Sequence, residues 1–264
     1  MLRRPRTLGL AIALAWSVLP ALAQELTPLS DALGGATVAS TRTWGGGENP
    51  AAGPVREGFS ARVYGHTLSG GVGLSRVSLD AAFRAKLGVL QVHVQQFSPP
   101  GYSLTGAHVS ASRQLADGLS LGVRAGVVRG DFDEYGSSLD AVAQAGVLYR
   151  VSKSLRAGAH YVYTDAPRLP LAEHALRVGV VYTSSPRVQV LAGARQAVGQ
   201  RLAGQLGLRF EASDRLTFAA GIRTGGLAYS LGVDAGLTEH VRLQLTAVAY
   251  QDLPLGVSYG AAWE

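Results

Sequence analysis

From about residue 57 onward the chain alternates apolar with small or polar residues almost without a break. No other feature constrains the fold as tightly. Leu227, Tyr229, Leu231, Val233 and Ala235 interleave with Ala228, Ser230, Gly232 and Asp234. Val241, Leu243, Leu245, Ala247 and Ala249 repeat the rhythm. Successive side chains of a strand point to opposite faces, so period two means β-structure with two unlike faces. The alternation predicts strands near 57–66, 74–84, 87–97, 102–113, 117–129, 138–150, 153–163, 174–183, 186–196, 200–211, 214–223, 226–236, 241–250 and 255–263. Soluble strands usually run about 5–6 residues. These are as long as the roughly 9–11 residues that a tilted strand needs to cross a bilayer. No helical pattern separates them, which removes βαβ folds.

The connections also alternate. Lys86-Leu87, Leu115 to Gly118, Ser152-Lys153, Ser184 to Pro186, Ser213-Asp214 and Thr238 to His240 are tight turns. Longer connections, among them 131–137 and 164–173, fall on the other rim. Outer-membrane barrels have this asymmetry, with short turns toward the periplasm. The fold expected is therefore all-β: a transmembrane antiparallel β-barrel of about 14 strands with a plug-like N-terminal segment. A soluble sandwich or periplasmic barrel is the rival, but it needs a charged outer face. Only 16% of this chain is charged, against an average near 25%. Tyr149, Tyr161, Tyr163, Tyr182, Phe210 and Trp263 fall near strand ends, which suits interfacial girdles.

The N-terminus reads as an export signal. Arg3, Arg4 and Arg6 precede an apolar run from Leu8 to Leu19, and Ala21-Leu22-Ala23 has the form of a cleavage site. Residues 1–23 are assigned to a signal peptide, with a membrane anchor as the alternative. Without those three arginines the 24 basic residues fall to 21, against 18 acidic ones, a net charge of +3. That is thin support for nucleic acid as a partner, and no basic patch interleaved with aromatics occurs. The localisation expected is the outer membrane of a Gram-negative-type bacterium.

On the polar face lie Arg62, Arg84, Arg124, Arg156, Arg177, Arg195, Arg209 and Arg223, together with Asp80, Asp140, Glu211 and Asp234. These are the candidate lumen-facing residues. Two readings stand: internal ion-pair packing along the wall, or a cationic lumen that favours anions. The same face gathers Gly122, Gly126, Gly146, Gly158, Gly179, Gly193, Gly207, Gly221 and Gly232. Inward glycine lets a sheet curve, lets an inserted segment approach, or widens the lumen.

Residues 24–56 do not alternate and form either a periplasmic or plug segment or a tail, ahead of the barrel at 57–264. The run Gly34-Gly35-Ala36-Thr37-Val38-Ala39, followed by Asn49-Pro50-Ala51-Ala52-Gly53, resembles the "GGAGVA…NPAG" opening of PorV/PorQ-like outer-membrane proteins. These are relatives of the FadL-type fatty acid transporters. Leu255-Gly256-Val257-Ser258-Tyr259 is similar to the last strand of PorV-like chains. The resemblance implies that Gly34, Gly35, Asn49, Pro50 and Ala51 belong to a hatch inside the barrel. It also implies accessory roles in secretion, with secretion-system proteins as partners.

Enzyme chemistry finds little footing. There is no cysteine, which removes thiolate metal sites and thiol nucleophiles. His66, His93, His108 and His160 are scattered over inward rows, and His108, Ser110 and Asp140 are the only pieces suggestive of a nucleophile and base. No Gly-x-Ser-x-Gly, His-Glu-x-x-His or phosphate loop occurs. The chain is read as a non-enzyme with no metal and no cofactor. Two functions are expected. One is a channel or transporter for small or hydrophobic solutes, fatty-acid-like molecules included. The other is a secretion-accessory or structural barrel that binds partner proteins.

Overall fold

The computed structural model describes residues 27–41, 48–53, 58–68, 75–86, 88–133, 136–165, 174–251 and 253–263. The signal segment 1–23, residues 42–47 of the N-terminal segment and most of the 164–173 loop lie outside the described residues.

Fourteen antiparallel strands close into a barrel. They are β1 (Gly58–Leu68), β2 (Ser75–Ala85), β3 (Gly88–Ser98), β4 (Tyr102–Ala116), β5 (Leu119–Phe132), β6 (Gly136–Arg150) and β7 (Leu155–Asp165), then β8 (Ala175–Ser185), β9 (Val188–Ala197), β10 (Ala203–Ser213), β11 (Leu216–Arg223), β12 (Ala228–Gly236), β13 (Val241–Tyr250) and β14 (Gly256–Trp263). Each pairs with its sequence neighbours, and β1 pairs with β14 from Ala61 opposite Trp263 to Leu68 opposite Gly256. Closure matters because lipid offers backbone N–H and C=O groups no partner, so an open edge is not tolerated there. The alternation in the sequence thus becomes an inside and an outside. The β4–β6 hairpins run 14 or 15 residues, longer than their sequence pattern implied. Three register shifts, at Gln114/Ala116, Thr183/Ser185 and Glu211/Ser213, sit beside short turns. There a bulge tightens the bend without interrupting the wall.

The wall faces outward with apolar side chains from every strand, among them Val63, Leu79, Val92, Val109, Val123, Val178, Leu208 and Leu245. The aromatics picked from the sequence are on this face too. Tyr149, Tyr182, Phe210 and Trp263 are exposed at the short-turn end, joined by Phe59 and Phe83, while Tyr161 and Tyr163 lie toward the other end. Phe59 and Trp263 bring their rings to 5.9 Å across the closing pair. Higher on that seam the Tyr259 ring covers Gly65, where a Cβ would stand 2.8 Å from the ring. An apolar band with aromatic rims is the surface of a barrel seated in a bilayer, and short turns place one end in the periplasm. The protein is an outer-membrane β-barrel.

A charge on this band should be costly. Val92, near the middle of β3 and half exposed to lipid, is a suitable probe. Val92→Arg is expected to lose about 2–4 kcal/mol of stability in urea unfolding from phospholipid vesicles, while Val92→Leu stays within experimental error of the parent.

Candidate functional site

The lumen holds the chain's own N-terminal segment. Its ordered core is one short turn of helix, α1 (Pro28–Ala32). Thr27 caps it by accepting a bond from the Ser30 N–H at 3.2 Å, and Pro28 takes the first helical position, where no N–H is needed. The helix stops at Gly34-Gly35. The Gly34 N–H bonds back to Asp31 and the Gly35 N–H to Ser30, at 3.0 and 2.9 Å. This is a Schellman closure, which needs a left-handed residue. Gly34 supplies it with φ +63°, and it also lies so close to Ile222 of β11 that a Cβ would stand 2.8 Å from the Ile222 carbonyl oxygen. The motif glycines therefore end a helix and let it touch the wall.

Side chains of the wall take up the segment's free carbonyls. Ser230 donates to the Ala32 carbonyl at 3.0 Å, and Thr246 to that of Pro28 at 2.6 Å. Ser258 donates to the Asp31 carboxylate, and His66 Nδ1 lies 3.3 Å from the same oxygen. Farther along, the Asn49 amide reaches three carbonyls, those of Val38, Val147 and Ala159, at 2.7, 3.2 and 3.3 Å. Its own oxygen accepts the Ala51 N–H at 2.9 Å. Asn49 thus joins both halves of the segment to β6 and β7. Pro50 beside it lets this tight turn form without a stranded N–H.

The inward glycines mark the track on which the segment lies. A Cβ at Gly122 would overlap Pro50, at Gly146 Asn49, at Gly158 and Gly179 Val38, at Gly207 Leu33, at Gly221 Leu33 and Gly34, and at Gly232 Ala32. Of the three uses that the sequence allowed, close approach of an inserted segment explains these seven. Gly126 is different: its Cβ would meet Ala107 and His108 of the wall itself. Leu29, Ala32, Leu33, Ala36, Ala39, Ala51 and Ala52 form one apolar core with Leu148, Val181, Leu191 and Ala219 of the wall.

The charged residues singled out from the sequence divide into groups. Arg62 sends Nη2 to Asp80 at 2.6 Å and Nε at 3.1 Å, and His93 Nδ1 stands 2.5 Å from the other Asp80 oxygen. The Arg62 guanidinium lies over Tyr64, and the Tyr64, His93 and His108 rings follow in a stack. Asp234 accepts from Arg242 and Gln244 at 2.7 and 3.0 Å, Arg209 stands 3.3 Å from Glu211, and Asp140 accepts from Ser138 at 3.0 Å. Arg195 donates to Gln200, Arg223 lies over Tyr250, and Arg124 and Arg177 are buried. Arg84 and Arg156 lie at the short-turn end, where Arg156 Nη1 donates to Thr41 Oγ1 at 2.9 Å. Ser110 donates to Gln91, so its hydroxyl is already engaged. Among the described residues no group of His, Asp and Glu could hold a metal ion. Sequence reading passed over Arg76, which is buried on the same β2 row as Ser78 and Asp80; its position on that row was the available signal.

Glu48 was also missed, because nothing in a non-periodic stretch says which way a side chain points. It is buried, and burial pushes its carboxyl up to about 8, outweighing the Ser30 hydroxyl and the charges of Arg177 and Arg62.

No family model matches the chain, and no curated protein matches it. Solved structures do. The chain is similar to the CymD monoaromatic hydrocarbon channel, with TM-score 0.75 and 12% identity over 90% of this chain and 97% of that one. It is similar to the Pseudomonas putida toluene transporter TodX, with TM-score 0.69 and 11% identity over 90% and 97%. Omp33 of Acinetobacter baumannii follows with TM-score 0.54 and 9% identity over 79% and 98%. At these identities the likeness is one of fold.

Two expectations follow. Gly146→Leu should drive Asn49 off the wall. In an Ala36→Cys background, where no other thiol exists and residue 36 is buried, maleimide labelling should speed up sharply while the barrel keeps its β-sheet circular dichroism. Gly204→Leu, which faces only Thr224 at 3.5 Å, should leave labelling unchanged. The second concerns pH. A carboxyl that is protonated when buried and ionised when free favours the seated segment below its ordinary value near 4.5. That contribution is lost as pH rises through about 8. Labelling of Ala36→Cys should therefore rise between about pH 5 and 8 and level off above that, relative to the same protein carrying Glu48→Gln, which flattens the dependence.

Proposed function

We propose that this barrel is an outer-membrane channel for small apolar solutes, with residues 27–41 and 48–53 acting as its plug. One observation carries the reading. At the loop end of the lumen Leu68, Phe97 and Leu104 are buried together, and Tyr102, Val128, Phe132, Tyr250 and Leu253 pack against them. The Tyr102 ring stacks on Phe132 at 5.6 Å and meets Phe97 edge-on at 6.2 Å. Such a mouth offers a solute apolar and aromatic surface to bury against. An apolar solute leaving water gains roughly 25 cal/mol for each Å² it buries there. The likeness in fold to CymD, a monoaromatic hydrocarbon channel, and to TodX, a toluene transporter, supports this reading. The resemblance to PorV/PorQ-like proteins, and with it the secretion-accessory role, rests on Gly34 to Ala39 and Asn49 to Gly53. Most of these residues are buried against the wall and offer a partner protein little surface.

Uptake into cells with a lipopolysaccharide-bearing outer membrane tests the proposal. Expression of the full chain should accelerate entry of a labelled monoaromatic hydrocarbon but not of a sugar. Phe97→Asp with Leu104→Asp should slow it several-fold at unchanged barrel abundance. Uptake no faster than in cells lacking the protein would overturn the reading.

A further inference from the structure

The outward face of the wall carries a groove of about 490 Å³ at the short-turn ends of β2 to β5. Its shape follows from one cross-strand row. Phe83 pairs with Leu90, Leu90 with Ala111, and Ala111 with Val123. Phe83, Leu90 and Val123 are exposed, so the small Ala111 leaves a notch between Leu90 and Val123. Nearer the turns Gly88 of β3 adds no side chain and extends the notch. Its φ of +153° and a Ser112 carbonyl oxygen 2.5 Å from where a Cβ would stand keep that position a glycine. On the β5 side Leu121 stands opposite Arg113. Arg113 shares the outward row of β4 with Val109, Ala111 and Leu115, and it is exposed like them.

A guanidinium on a lipid-facing row costs stability unless a counter-charge meets it. The depth of Arg113 says where that charge comes from. Tyr149, in the aromatic rim, pairs with Leu119, two residues nearer the turn than Leu121. Aromatic rims sit at the headgroup level, so Arg113 starts just inside the hydrocarbon edge and its long stem carries the charge to the headgroups. Arg129, on the outward row of β5 at the opposite end, is met differently: Asp131 of the same strand lies 2.9 Å away. The periplasmic leaflet of an outer membrane is built of phospholipid. We infer that the groove binds one anionic glycerophospholipid of that leaflet, its phosphate held by Arg113 and an acyl chain laid over Ala111 between Leu90 and Val123. The planar fork of Arg113 matches two phosphate oxygens. A lipid whose headgroup carries its own ammonium brings a competitor for the same phosphate, which favours the anionic class. The notch gives the chain contact on both sides, which a flat lipid-facing surface lacks. The inference does not depend on which solute the barrel transports.

Native mass spectrometry of the full chain released from detergent micelles is the test. The probes are dioleoyl phosphatidylglycerol, dioleoyl phosphatidylethanolamine, dioleoylglycerol and lipopolysaccharide. One phosphatidylglycerol should stay bound to each barrel, more tightly than phosphatidylethanolamine, and dioleoylglycerol should be retained least. Arg113→Gln should weaken phosphatidylglycerol binding by about tenfold, the loss expected for one charge-assisted hydrogen bond. Ala111→Trp, which fills the notch from the lipid side, should do the same, while Arg129→Gln at the opposite end should leave binding unchanged. Should a variant fail to fold, the ranking of the lipids on the parent barrel still decides. Equal retention of the three glycerolipids, equal affinity in folded Arg113→Gln, or stronger capture of lipopolysaccharide, the lipid of the other leaflet, than of phosphatidylglycerol would overturn the proposal. Transport of an apolar solute would survive each of those results.

Discussion

Everything in this molecule follows from one constraint: inside a bilayer a backbone polar group has only other backbone groups to bond. Fourteen strands satisfy it by pairing in a ring, with β14 returning to β1. The ring fixes which residues face lipid, and the outer row becomes apolar because nothing else is tolerated there. It also creates an interior that must be filled or left wet. This chain fills much of it with its own N-terminal segment, and the inward glycines are spaced to receive it.

The interior is therefore two environments. Around α1 and Asn49 it is as close-packed as a soluble core, with carbonyls met by Ser230, Thr246 and Asn49. Beyond the segment its two ends differ. The loop end is aromatic and the short-turn end cationic, so a solute entering from outside meets apolar surface first and positive charge last. Buried pairs such as Arg62 with Asp80 are satisfied in place. Breaking one would leave an uncompensated charge, at a cost of about 3–5 kcal/mol.

Most of the wall was legible in the sequence because a strand's facing is a local property. Val123 and Arg124 point opposite ways for the same reason that any two successive strand residues do. The inward row of glycines and the exposed Tyr149, Tyr182 and Trp263 could be read this way. What could not be read depends on register between strands distant in sequence. Nothing local says that Asn49 lies against Val147 and Ala159, or that Gly221 faces the end of a helix. For the same reason the two readings of the arginines stayed open: Arg62 finds Asp80 on the next strand, while Arg84, Arg150 and Arg156 gather from three strands at the short-turn end. The Gly34 and Asn49 motifs lie against the wall through the cap at Gly34 and the hydrogen bonds of Asn49.

The helix α1 lies mainly over β12 and β13, and its Asp31 reaches the place where the ring is joined. Asp31 meets Ser258 of β14 and His66 of β1, and Pro28 lies near Gly260. Those two strands are the first and the last, and bringing them together closes the longest loop in the chain, the contact with the highest entropic cost. The segment bridges both sides of that join from within, so it works as a clasp. Sealing the wall and filling the lumen become one cooperative step of assembly, and a mutation that loosens the clasp should be felt first in how completely the barrel forms, before it is felt in what the barrel lets through.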